Sequence, residues 1–171
     1  MKPRQNLLYR ETQPMVSWVV ILLFFIFISN LAVWLLLVSV PQVPLWPKLL
    51  LAAVMLALAV MIWTFRRLSI ELTDTEISFG FALIRKRLRW QEIESVQEEP
   101  YLFSRFIGWG LRYDMRGTFG FIARSGMGVQ IQTRNRPGRS GWRYFISTDR
   151  PQTLLHIARK QIERAQRQAR P

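Results

Sequence analysis

Two long apolar runs near the start of the chain constrain its fold more than any other feature of the sequence. They span residues 15–40 and 46–65, and Lys48 is the only charged residue in either run. As a helix, about 26 residues extend roughly 39 Å, which exceeds the hydrocarbon core of a bilayer at about 30 Å. The second run has about the minimum length for a span. We therefore expect residues 15–65 to form a transmembrane hairpin of two helices.

The composition agrees with a chain that is divided into an apolar part and a basic part. Half of the 171 residues are hydrophobic, yet the formal net charge is +13, and most of the Lys and Arg residues follow the second run. The first run is also longer than the roughly 7–15-residue apolar core of a secretory signal peptide, so we expect no cleavage. The sequence therefore indicates a membrane anchor joined to one small domain.

Positive charge near the ends of the two runs predicts the orientation of the hairpin. Basic residues precede the first run and follow the second, whereas the connecting loop contributes only Lys48. By the positive-inside rule, both termini should lie in the cytoplasm, with the hairpin in a bacterial inner membrane and residues 1–14 as a cytoplasmic segment. The expected anchors at the membrane–water interfaces are Trp18, Trp46, Trp63, Arg66 and Arg67.

Residues 66–171 change from solid apolar runs to alternating apolar and polar positions, which indicates short strands. About seven strands at close spacing predict an antiparallel β-sandwich or barrel, and residues 125–128 suit a hairpin loop. A stripe of apolar residues at helical spacing then predicts an amphipathic helix over about 150–168, which would cover the sheet. The predicted strands are 67–73, 76–83, 84–90, 91–99, 108–113, 128–133 and 142–148.

Three short motifs lie in this predicted domain. Residues 107–112 loosely match a "gGxG(I/L)R" pattern, Gly128-Val129 opens a strand, and residues 147–151 lead into the last helix through an "(S/T)xxP" step. With the capped strand set and the hairpin, they resemble bacterial membrane proteins with a pleckstrin-homology-like (PH-like) domain, a largely uncharacterised group. The resemblance covers about 66–162 and implies a fold and a membrane location. It does not bring phosphoinositide binding, because the first strand turn, 73–75, is acidic.

The stretch Gly108-Trp109-Gly110 permits two interpretations. If it is a strand, the glycines share a face with Arg112, and the missing side chains leave a slot in which Arg112 holds a ligand or peptide. Alternatively, Trp109 fills the core and the glycines allow the strand to curve. Arg112 and Asp114 would then simply form a surface pair, which contributes little to stability.

A basic cluster is the second candidate site. Its four side chains would gain roughly 1 kcal/mol each from anionic lipid at a cytoplasmic leaflet, or they belong to a solvated face. Aromatic residues that alternate as core positions argue against nucleic acid. The apolar segment 101–107 suits the core, the membrane interface or a partner. The cluster consists of Arg85, Lys86, Arg87 and Arg89.

The residue inventory argues against an enzyme. The chain has no cysteine and one histidine, His156, and adjacent carboxylates at Glu98 and Glu99 point to opposite faces of a strand. We expect no cofactor, metal or small-molecule substrate. The leading prediction is a non-catalytic interaction or assembly module that binds a protein partner or a second copy at the membrane. The alternative is a sensor of anionic lipid headgroups that uses the basic cluster.

Overall fold

The computed structural model describes residues 6–135 and 141–168. Within these ranges, two long apolar helices are followed by two sheets and a C-terminal helix, so this part of the predicted architecture is confirmed. The strands are β1 (Leu7–Pro14), β2 (Arg67–Thr73), β3 (Glu76–Gly80), β4 (Arg85–Arg89), β5 (Ile93–Pro100), β6 (Gly110–Tyr113), β7 (Thr118–Ile122), β8 (Met127–Thr133) and β9 (Arg143–Ser147). The helices are α1 (Ser17–Ser39), α2 (Leu45–Phe65), the short α3 (Phe103–Phe106) and α4 (Pro151–Gln168).

Helices α1 and α2 are long and apolar enough to cross a membrane. Their mean hydropathies reach 2.8 and 2.2, and the rest of the protein buries neither apolar stretch. Side chains such as Phe25 and Leu36 are more than two-thirds exposed. A helix that is apolar on all sides normally lies inside protein or lipid. Because protein covers neither helix, their exposed surfaces favour lipid.

Residues 7–14, to which the sequence analysis assigned no strand, form β1. This strand pairs antiparallel with β2, and Pro14 lies opposite Arg67. Strand β1 leads directly into α1 and β2 follows directly from α2, so the pairing closes the helical hairpin at its base. Gln13 and Met15 are buried. Residues 7–14 therefore pack with the strand-rich domain, although they precede its predicted start at residue 66.

The main hydrophobic core lies between the two sheets. Strand β2 contributes Leu68, Ile70 and Leu72, which are fully buried at every second position, as the predicted alternation requires. Val129 and Ile131 of β8 enter the same cluster from the second sheet. Helix α4 completes the core with the apolar stripe recognised in the sequence. Its buried members are Leu154, Leu155, Ala158, Ile162 and Ala165.

The strand set differs from the predicted antiparallel one in three respects: β1 and β7 lie in stretches where no strand was predicted, one strand pair is parallel, and the predicted hairpin loop is a crossover. The sheets run β1-β2-β3-β4 and β5-β8-β9-β7-β6, so the described residues contain nine strands, and β9 lies parallel to β7. Residues 123–126 connect β7 to β8 across β9 and do not form the predicted hairpin. The crossing is about 10 Å, because strands lie about 4.8 Å apart, and four extended residues can span it. Two successive reversals of direction then make β7 and β9 parallel.

Strand β3 ends earlier than the alternation predicted. At Gly80 the backbone has φ +143°, and a Cβ there would lie 2.2 Å from the Ile84 carbonyl oxygen, so the turn requires glycine. The turn is closed by the Phe81 N–H, which donates to that carbonyl at 2.9 Å. Leu83, which the predicted strand 76–83 would place on the same face as the buried Ile77 and Phe79, is consequently 60% exposed.

A polar network joins β1 to the start of α4. The Glu11 carboxylate accepts hydrogen bonds from the hydroxyls of Tyr9 and Thr148, both at 2.6 Å. It also accepts the Asp149 N–H at 2.8 Å and the Gln13 amide at 2.6 Å. One carboxylate therefore holds the N-terminal strand, which precedes the hairpin, against the C-terminal part of the domain.

Candidate functional site: a basic groove beside strand β4

A groove with a volume of about 620 Å³ lies between β4 and the ends of β8 and β9. Strand β4 ends the order of its sheet, and an edge strand carries backbone groups that can pair with an added strand. The groove therefore has the form of a site for an extended segment. The described residues that line the groove include Lys86, Arg87, Arg89, Arg134, Trp142 and Tyr144.

The pleat of β4 distributes the basic side chains over the two sides of the strand. Arg87 and Arg89 are exposed on one face. Lys86 points to the other, where its ammonium lies 5.6 Å from the centre of the Tyr144 ring, within range of a cation–π contact. Trp142, which is 40% exposed, adds a flat apolar surface to the groove. The site combines cations with aromatic surface around one backbone edge.

The charge of the groove is mostly uncompensated within the part of the chain that the structure describes. Four cationic side chains line it, against the single carboxylate of Glu92, which accepts the Arg89 N–H at 3.1 Å. None of the salt bridges among the described residues involves Lys86, Arg87 or Arg89. These cations are therefore available to an anionic ligand.

Arg85, the fourth member of the predicted cluster, lies elsewhere. Its guanidinium is 3.7 Å from the Glu71 carboxylate, and it lines a separate recess of about 310 Å³ with Arg66, Arg67 and Trp63 at the end of α2. Because a strand rises about 3.3 Å per residue, Arg89 lies about 13 Å farther along β4 from this base. The structure therefore divides the cluster between two locations.

The Gly108-Trp109-Gly110 stretch forms a turn that leads into β6, and its last residue, Gly110, is the first residue of that strand. Gly108 and Gly110 have φ of +112° and +91°, which explains both glycines. The Arg112 guanidinium lies over Gly108, where a Cβ would approach it to 3.1 Å, so the arginine itself fills the predicted slot. Trp109 packs edge-on against Trp18 of α1, with ring centres 5.2 Å apart. The turn thus joins the domain to the hairpin.

Asp114 does not pair with Arg112 but belongs to a buried network that the sequence analysis missed. Arg105 Nε donates to the fully buried Asp114 carboxylate at 2.6 Å, and Arg105 Nη1 donates to Glu99 at 2.5 Å. Arg105 Nη2 donates to the Thr118 hydroxyl at 2.9 Å. Since the members come from α3, β5 and β7 and the turn after β6, the network fixes α3 on the outer face of the second sheet.

Burial and hydrogen bonding act in opposite directions on two carboxylates. Burial disfavours the charged form of Asp114, but hydrogen bonds from the Thr118 N–H and the Arg105 guanidinium outweigh it and hold the pKa of Asp114 below its usual 3.8. Burial likewise opposes ionisation of Glu11, while its donors, led by the Thr148 hydroxyl, hold the pKa of Glu11 below its usual 4.5.

These lowered pKa values predict an acid-sensitive domain. When folding lowers the pKa of a carboxylate, the ionised group stabilises the folded state at pH values above its usual pKa. This stabilisation is lost as the pH falls through the lower pKa that the group has in the folded state. We expect the free energy of unfolding to fall as the pH drops below about 4.5. Urea denaturation in mild detergent at a series of pH values measures this. Glu11→Gln should flatten the profile; an unchanged slope would contradict the assignment.

Together these features define a two-helix apolar hairpin that carries a two-sheet domain with a basic groove. The sequence matches no protein-family model, no curated protein and no solved structure. The resemblance to bacterial PH-like-domain membrane proteins therefore stays a prediction. Its three motifs lie in the turn before β6 and its first residues, within β8, and between the end of β9 and α4.

Proposed function

We propose that this protein is a non-catalytic binding module anchored in the bacterial inner membrane, with a PH-like domain on the cytoplasmic side. Its groove binds an acidic, extended segment of a protein partner. The observation that carries this function is the row of uncompensated cations along the exposed edge of β4. An added strand gains main-chain hydrogen bonds from such an edge, and cationic side chains select for acidic residues.

The pairing of β1 with β2 supports the proposed topology. It holds the segments before α1 and after α2 side by side, so both flanks of the hairpin lie on one side of a bilayer that the helices span. Arg66 and Arg67 stand at this base, and the opposite end of the hairpin carries Lys48. By the positive-inside rule, this asymmetry supports a cytoplasmic location for the domain.

The position of the far end of the groove favours a protein over a lipid. Attraction to anionic headgroups fades within a Debye length, about 8 Å at physiological ionic strength. Arg89 lies farther than that along β4 from the helix base, whereas Lys86 and Arg87 lie within it. Arg66, Arg67 and Arg85, in contrast, converge beside Trp63 at the end of α2. A lipid-headgroup sensor, the alternative function, would use this base instead of the groove.

Charge reversal in the groove is expected to weaken its contacts with a partner. A photo-crosslinking residue at position 142 should give protein adducts in cells, and the double variant Arg87→Glu/Arg89→Glu should lower their yield by about tenfold, from roughly 1.4 kcal/mol of lost ion pairing. Mass spectrometry of the adducts identifies the partner, and an adduct at twice the mass of the chain identifies a second copy.

The matched control is Arg159→Glu/Arg164→Glu on the exposed face of α4, which changes the net charge equally. It should leave the adduct yield unchanged. Adducts with lipid alone at position 142 would show that the groove faces the bilayer, which would contradict a protein partner at this site. Protein adducts that persist in the groove variant would show that the cations do not bind the partner.

A further inference from the structure

Two loops of the domain expose apolar side chains that the fold does not need for its core. In the loop between β3 and β4 (residues 81–84), Leu83 is 60% exposed and Ile84 37%. In the α3 segment (residues 102–109), Phe103 is 55% exposed and Ile107 71%. Apolar patches on a domain surface usually mark contacts with a partner or a membrane.

Both loops adjoin the ends of the apolar helices. In the β3–β4 loop, the Phe81 ring lies 5.0 Å from the Phe65 ring at the end of α2, and the next N–H, that of Ala82, donates to the Thr64 carbonyl at 3.3 Å. In the α3 segment, Trp109 is the residue that contacts Trp18 in the first turn of α1. The loops therefore flank the two points at which the hairpin enters the domain.

The contact with Trp18 determines the depth of the α3 segment relative to the bilayer. Tryptophan near the end of a spanning helix occupies the headgroup region of a bilayer. Trp109 packs on this ring, and Phe103 packs on Trp109 with ring centres 5.8 Å apart. The Trp109 and Phe103 rings therefore lie next to the depth that Trp18 occupies.

The backbone at Ile107 gives a second indication. Ile107 follows α3 in the left-handed conformation, with φ +50°, and it is the most exposed large apolar residue in the segment. Glycine or asparagine normally occupies this position at a helix end, because a β-branched residue is strained there. In water, an isoleucine at this site has two disadvantages: its backbone is strained, and its apolar side chain is exposed to solvent. Contact with lipid removes the exposure to solvent.

We propose that the β3–β4 loop and the α3 segment insert their apolar side chains into the interfacial region of the bilayer on the side that carries the domain. This inference rests on the proposed membrane anchoring of the hairpin. Arg66, Arg67 and Arg85 lie beside the β3–β4 loop, where they meet lipid phosphates. The domain is therefore seated on the membrane at fixed points and directs the groove away from it.

Spin labels measure this seating directly, because the chain has no cysteine and each introduced cysteine is unique. The full chain is reconstituted into nanodiscs of phosphatidylcholine and phosphatidylglycerol, one copy per disc. Nitroxides are placed at Leu83→Cys, Phe103→Cys and Ile107→Cys. The matched control is Met115→Cys, an apolar residue that is 90% exposed beyond the opposite end of β6. A label at Phe25→Cys in α1 reports whether the hairpin itself lies in lipid.

For each label, the measured quantity is the ratio of its collision rate with oxygen to its collision rate with a water-soluble nickel complex. We expect this ratio to be several-fold higher for the three loop labels than for the Met115 label. If they behave like the Met115 label while the Phe25 label contacts lipid, the seating is wrong and the anchoring stands. If the Phe25 label is also open to water, the anchoring itself has failed, and the seating with it. Labels shielded from both reagents would show that protein covers the loops, which also overturns the inference.

Discussion

Replacing Arg105 with methionine is expected to lower the free energy of unfolding by about 3–5 kcal/mol, the usual cost of removing one partner from a buried ion pair. The guanidinium neutralises Asp114, which is fully buried, and Glu99, which is mostly buried. Without it, both carboxylates stay in a poorly solvated place, and α3 keeps only its apolar contacts with the second sheet, such as Phe106 on Phe145. Urea denaturation of the full chain in mild detergent, followed by tryptophan fluorescence, measures the loss.

Arg124→Met is the matched control, since Arg124 pairs with Asp149 at 3.0 Å while both side chains are more than 40% exposed. Its expected cost is about 0–1 kcal/mol. Adding Asp114→Asn and Glu99→Gln to Arg105→Met should recover part of the loss, because neutral side chains are less costly to leave unpaired. Equal costs for Arg105→Met and Arg124→Met would show that the network does not stabilise the fold.

Glu11→Ala is expected to cost about 3 kcal/mol, because hydrogen bonds to a charged group contribute about 1.5–3 kcal/mol each and this carboxylate accepts four. The contributions do not add, since the freed Tyr9 and Thr148 hydroxyls can bind water. The same denaturation experiment measures the change. Hydrogen exchange should also report earlier opening of β1.

Glu163→Ala, on the exposed face of α4, serves as the control and should change stability by less than about 0.5 kcal/mol. A double-mutant cycle between Glu11→Ala and Thr148→Val isolates the contact that joins the two ends of the chain. A coupling energy near zero would mean that the carboxylate does not hold β1 against the start of α4.

The candidate site was only partly predictable. The sequence showed that Arg85, Lys86, Arg87 and Arg89 are basic and close together, and three of them line the groove. It did not show that Arg85 belongs to the base of α2, because that depends on which element lies beside each end of β4. It also gave no signal for Arg134, which reaches the groove from just after the end of β8, 45 positions after Arg89.

Arg105 and Glu11 escaped the sequence analysis for a related reason. Glu11 lies in a polar stretch and Arg105 in an apolar segment, but each is an isolated charged residue that carries no periodic signal and looks like solvated surface. Their partners lie at distant positions, such as Thr148 for Glu11. Only the meeting of these distant segments gives the half-buried Glu11 carboxylate its hydrogen-bond partners.

The sequence by itself determined the features that depend on neighbouring residues: the two apolar helices, seven of the nine described strands and the stripe on α4 at Leu154, Leu155 and Ala158. These follow from local hydrophobic periodicity, which each segment carries alone. The tertiary structure decided the pairing of β1 with β2, the insertion of β9 between β7 and β8, and the division of the basic residues. Such features depend on which distant segments meet, because hydrogen bonds and buried charges form wherever the folded backbone brings partners together.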